Sequence, residues 1–133
     1  MNNNKKNNNE NDVVNLKIYQ KNMELLVLTT KFFNETEGKS IHPLAHILLE
    51  KIADGSWNYL TALNFRETEK SFNKFISARN CMMECISVID IIMEKSPELK
   101  PDLERIMEGV DILIKMVNWS LNTVRLTMKK IAA

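Results

Sequence analysis

Apolar residues recur along this chain with the period of a helix, in four long stretches separated by short polar breaks. The last stretch is the most regular. Leu103, Val110, Val117, Val124 and Ile131 return every seven residues, and Met107, Ile114, Leu121 and Met128 follow at a spacing of four. Such a seam lets a helix of about 45 Å lie almost parallel along its neighbours. The first stretch, residues 13–34, puts Ile18/Tyr19, Asn22/Met23, Leu25/Leu26, Thr29/Thr30 and Phe32/Phe33 on one face. The segment 34–40 then breaks the pattern, with Gly38 as the expected left-handed residue. Ser40 and His42 are candidate caps, and Pro43 suits a first helical turn, where its missing N–H is harmless.

The second stretch carries Leu44, Ile47/Leu48, Ile52, Tyr59 and Leu63, with Asp54-Gly55 inside it. Because the amphipathic pattern resumes at Trp57, it reads as one continuous helix in which Gly55 permits a kink or a close neighbour. Asn64-Phe65-Arg66-Glu67 has the form of a capping box. Behind it Phe72, Phe75/Ile76, Arg79, Met82/Met83, Ile86, Ile89 and Met93 make a third stripe. The fourth helix starts either with Ser96 as cap and Pro97 in its first turn, or at Pro101, and runs to about residue 130. Four long helices joined by short turns predict an all-α, antiparallel up-down-up-down four-helix bundle over residues 13–133. Residues 1–12, with seven asparagines, read as a disordered polar tail.

Composition narrows the class. A chain of 133 residues forms one domain with a real core. Its apolar runs fall short of the roughly 18 residues a membrane span needs, so no membrane partner is expected. Residues 1–12 lack the apolar region of a secretory signal. Cys81 and Cys85 lie four apart in a helical pattern, which with no export signal argues against a disulfide. A cytoplasmic location follows as the expectation.

The net charge of +1 hides an uneven distribution. Residues 81–111 hold eight acids and three bases, whereas beyond 111 there are Lys115, Arg125, Lys129 and Lys130 and no acid. Arg66, Lys70, Lys74 and Arg79 form another basic run. These eight residues are the candidate contacts to RNA or DNA, although solvated helix faces carry such charges too.

Metal chemistry has one candidate set. His42 and His46, with Glu50, share a face of the second helix, and Cys81 and Cys85 share a face of the third. A hairpin turning near residue 65 would bring residue 46 level with about residue 84, within reach of a two-histidine, two-thiolate zinc site. Both cysteines border the apolar stripe, where the commoner role is that of a small buried hydrophobe, so neither metal nor cofactor is expected. No nucleophile, phosphate loop or carboxylate cluster accompanies His46 and Glu50, and a non-catalytic protein is the expectation. Trp57 and Trp119 fall off the main seams and are candidate contacts with further copies of the chain.

Phe72-x-x-Phe75-Ile76-Ser77-Ala78-Arg79-Asn80-Cys81-Met82-Met83-Glu84-Cys85 resembles the third-helix signature of a family of small four-helix bundles. That family includes the proteins of ribosomal RNA intervening sequences and the accessory variability determinants of diversity-generating retroelements. Lys51-Ile52-Ala53-Asp54-Gly55 is similar to the family's Asn-Ile-Ala-Glu-Gly, and Phe32-Phe33 with Glu35 and Glu37 falls at its Phe-Pro-Lys-x-Glu. The resemblance covers residues 16–127, with Asn80, Cys81 and Cys85 replacing the family's glycine, serine and leucine. The long interval from Gly55 to Phe72, and Asn118-Trp119, look closer to the retroelement type. The resemblance implies a homopentamer that binds nucleic acid and a reverse transcriptase and supports complementary-DNA synthesis without catalysing it. Arg79 alone matches a basic position of the motif. The ribosomal type implies instead a structural or interaction bundle.

Overall fold

The computed structural model describes the backbone of residues 2–65 and 68–132, and the side chains of 13–65 and 69–132. Four helices make up the described chain: α1 (Asn2–Glu35), α2 (His42–Asn64), α3 (Thr68–Lys95) and α4 (Lys100–Ala132), with a 3-10 turn at Pro97–Leu99 before the last. Each packs on its neighbours in sequence, and α4 closes on α1 to complete a helical bundle. The expected tail at 1–12 lies outside the described side chains.

The apolar pairs of α1 resolve in one direction. Ile18, Asn22, Leu25, Thr29 and Phe32 enter the core, while their partners Tyr19, Met23 and Thr30 remain exposed. On α3 the core stripe sits one residue from the expected one in places. Ala78, Cys85, Val88 and Ile92 are buried, Arg79, Ile86 and Met93 are half-buried, and Met83 is exposed. Small Ala78 allows the close approach of α2, where a Cβ added at Gly55 would lie 3.5 Å from Ala78 O.

The α4 seam is likewise rotated. Leu103, Val110 and Val117 lie in the core as expected, but Ile106, Leu113 and Ser120, three residues on from each, are buried beside them. Met107 and Ile114 flank the stripe half-buried, whereas Leu121 is buried. The seam also ends early: Ile131 is 72% exposed, since α4 outruns the apolar surface available to it.

One turn residue is as expected, and two caps differ from expectation. Gly38 adopts the left-handed conformation, φ 82°, as its place in the first turn predicts. Neither Ser40 nor His42 caps α2: Ile41 occupies that position without a side-chain cap bond, because its side chain is an anchor of the core. Asn64 is the last residue of α2 rather than the cap of α3, and its Nδ2 donates back to Leu60 O at 3.2 Å. Glu67 lies outside the described residues. Ser71 Oγ stands 3.1 Å from both Ala62 O and Phe65 O and ties α3 to the end of α2.

The core falls into two clusters. The larger gathers Leu25, Ala45, Leu48, Ile52, Met82, Ile89, Leu103, Val110 and Leu113 with their neighbours. The smaller holds Ile18, Tyr59, Ala62, Phe75, Ala78, Val117 and Leu121. Tyr59 and Phe75 meet there edge to face, with centroids 5.6 Å apart. Where the clusters meet, α1 and α2 contribute Asn22 and Ser56, both buried. Asn22 Nδ2 donates to Ile18 O at 2.9 Å, while Asn22 Oδ1 and Ser56 Oγ have no hydrogen-bond partner among the described residues.

Candidate functional site

The smaller cluster marks one end of the bundle, and most of the candidate cations surround it. Its α3 residues, Phe75 and Ala78, lie among Lys70, Lys74 and Arg79, and its α4 residues, Val117 and Leu121, between Lys115 and Arg125. Arg125 lies over the Phe72 ring at 5.6 Å, so the cation also covers the edge of this cluster. Lys70, Lys115, Lys129 and Lys130 are exposed, and Lys74 and Arg79 are half-buried. Arg66 lies outside the described residues. Arg125 thus brings the α4 run beside the start of α3, while Lys115 faces α1 and Lys70 and Lys74 line a separate recess with Phe65 and Ser77. The acids of 81–111 flank the larger cluster instead.

Beside this region α1 and α4 leave a groove of about 530 Å³, lined by Val14, Lys17, Ile18, Lys21, Ile112, Lys115, Met116 and Trp119. Its chemistry is divided. Ile18, Ile112 and Met116 give an apolar floor, Trp119 adds an indole that is 56% exposed, and three lysines supply charge without a lining carboxylate. Lys21 also meets Glu24 at 3.3 Å, an exposed pair of small worth. Lys115 and Trp119, four residues apart, therefore share one face with Lys17 and Lys21. The α1 lysines escape a reading of charge runs. Their signal is their spacing of four on either side of Ile18, a buried residue.

Trp57 is placed elsewhere, 71% exposed on α2. Tyr19, Met23 and Val27 extend another exposed stripe along α1 with Leu16.

The structure parts the histidines from the cysteines. His42 stacks on Phe33 at 4.4 Å, and its Nδ1 lies 3.0 Å from Thr36 Oγ1, which holds the α1–α2 corner. His46 Nε2 reaches Glu50 at 3.4 Å on the surface. Cys81 instead sits against Gly55, where an added Cβ would lie 3.1 Å from Cys81 Cβ. One turn on, Lys51 Nζ donates to Glu84 Oε2 at 2.7 Å. Residue 84 is thus level with 51, not 46, which carries the thiols a turn or more from the histidines. Burial pushes the Cys85 thiol up to about 12 and raises that of Cys81, so both are protonated at neutral pH. The hydrogen bond to Glu84 raises Lys51.

Among the described residues, no helix is long and apolar enough to cross a membrane. The chain matches no protein-family model, no curated protein and no solved structure.

Proposed function

We propose that this chain is a non-catalytic accessory bundle that binds nucleic acid through its basic end. In this reading it assists the reverse transcriptase of a diversity-generating retroelement as a cytoplasmic homo-oligomer. The observation that carries the nucleic-acid part is Arg125 of α4 lying over Phe72 of α3, which brings an α4 cation to the part of α3 that carries Lys70 and Lys74. Phosphate contact by several cations at once gives affinity that a single lysine cannot supply. The reverse transcriptase, complementary-DNA synthesis and a pentamer rest on the family resemblance in residues 16–127. A pentamer would repeat the basic end five times, which partly offsets the near-neutral total charge. Trp57, 71% exposed on α2, is the proposed contact between copies.

The reading includes an antiparallel up-down-up-down order. Gly55 against Cys81 and Ala62 against Ser71 support it for α2 and α3. Ile18 beside Met116 and Leu25 beside Gly109 support it for α1 and α4.

A second reading, an interaction bundle of the ribosomal intervening-sequence type without a nucleic-acid role, is favoured by the exposed apolar stripe of Leu16, Tyr19, Met23 and Val27. The two part on one experiment. Protein of measured solution mass is titrated into labelled RNA and DNA over a series of salt concentrations. The first reading expects binding by an oligomer that weakens steeply with salt. No binding at low salt by a confirmed oligomer leaves only the second. Co-purification with a reverse transcriptase encoded beside this chain tests the partner.

A further inference from the structure

The groove between α1 and α4 refines the ligand. We propose that it seats an unpaired base of single-stranded nucleic acid, stacked on Trp119, with flanking phosphates on Lys17, Lys21 and Lys115. The inference rests on the proposed nucleic-acid binding and specifies which form is bound.

A duplex presents phosphates outward and keeps its bases stacked inside. It would engage the lysines and leave the apolar floor of Ile18, Ile112 and Met116 empty. A single strand offers both charge and a planar apolar surface, which matches a groove holding three lysines, an exposed indole and no lining carboxylate. The volume, about 530 Å³, lies in the range of pockets that hold one small organic group. The groove also adjoins the basic end, since Ile18 belongs to the smaller cluster and Met116 packs against it. A strand held by Arg125 and its neighbours can thus continue past Trp119.

The two tryptophans make the test direct. In a Trp57→Phe protein, Trp119 is the only indole. That protein is titrated at low salt with a mixed-sequence single strand of about ten nucleotides, and separately with the duplex of the same sequence. The single strand is expected to quench Trp119 fluorescence, and the duplex to leave it nearly unchanged. Trp119→Ala in the natural background should weaken single-strand binding roughly tenfold, as expected for loss of one base–aromatic stack. Trp119→Phe should restore most of that loss, and duplex affinity should change less than about twofold. If both forms bind and Trp119→Ala weakens them alike, or neither quenches the indole, the groove is not the seat and the wider reading survives. If neither form binds, both readings fail together. Should Trp119→Ala misfold by circular dichroism, the quenching comparison decides alone.

Discussion

Tyr59 Oη and Ser120 Oγ stand 3.0 Å apart in the core, and Ser120 also donates to Met116 O at 3.1 Å. A serine has one hydrogen to give. With that hydrogen directed to Met116, Tyr59 is the donor and Ser120 the acceptor. The bond joins α2 to α4 inside the smaller cluster.

This assignment makes the two deletions unequal. Tyr59→Phe removes the donor and leaves Ser120 bonded to its own helix, for a loss of about 1 kcal/mol. Ser120→Ala strands the buried Tyr59 hydroxyl, for about 1–3 kcal/mol, although it deletes a single atom. Urea unfolding of both variants checks the order. A more damaging Tyr59→Phe would reverse the assignment.

Alkaline pH should weaken the fold in stages. Burial pushes Cys85 from 9.0 up to about 12, and Tyr59 from 10.0 up to about 12. In both cases the unfolded chain loses its proton first, so the folded state binds more protons in the window and stability falls as pH rises. The contribution is whole below pH 9 for Cys85 and below pH 10 for Tyr59, and is lost by about pH 12. Thermal midpoints should hold near neutrality and decline above pH 9. Tyr59→Phe should decline less steeply above pH 10, and an identical slope would remove Tyr59 from the account.

Two glycines should respond differently. Gly38, at φ 82° with open space around it, is held by backbone conformation alone, and Gly38→Ala should cost about 1–2 kcal/mol. At Gly55 space is limiting: an added Cβ would lie 2.8 Å from Met82 Cε and 3.1 Å from Cys81 Cβ. Gly55→Leu should therefore lose roughly 1–3 kcal/mol by forcing α2 from α3. A loss under about 0.5 kcal/mol, the range of ordinary surface changes, would show that the helices can separate freely.

Charge removal at the basic end should act on salt dependence. Lys115→Ala and Lys129→Ala should each weaken nucleic-acid binding and reduce the slope of log K against log salt by about 0.7–0.9. Lys95→Ala and Lys100→Ala, beside the larger cluster, serve as controls. Equal effects at both ends would mean that binding follows net charge and not position.

Trp57→Ala tests self-assembly. Its side chain is 71% exposed, so the substitution should leave the fold intact while lowering the solution mass measured by light scattering. An unchanged mass at equal concentration removes Trp57 from the contact between copies.

The helices were legible in the sequence because period and turn chemistry agree: Gly38 ends the first turn, and the pattern on both sides of Gly55 carries α2 through it. Rotation of the stripes was less legible. Ile106/Met107 and Leu113/Ile114 are all apolar, so spacing alone could not say which of each pair enters the core, and small Ala78 looked less like core than Arg79 with its long stem. The basic residues of α3 and α4 could be named from charge runs, but not the placing of Arg125 over Phe72, which depends on packing. The groove was hidden for the same reason. Its walls, Val14 to Lys21 and Ile112 to Trp119, stand almost a hundred residues apart in the chain.

Asn22 and Ser56, at the meeting of the two core clusters, have a consequence for how the protein can change. Asn22 Oδ1 and Ser56 Oγ are buried without a partner among the described residues and add little cohesion, so they form a seam across which the helices are held less strongly than on either side. The larger cluster can then keep the four helices together while the smaller one loosens and recloses as a local unit. Substitutions around Phe75, Val117 and Leu121 can accumulate there without melting the whole domain. Such a division lets the half around the smaller cluster change while the half around the larger one stays constant.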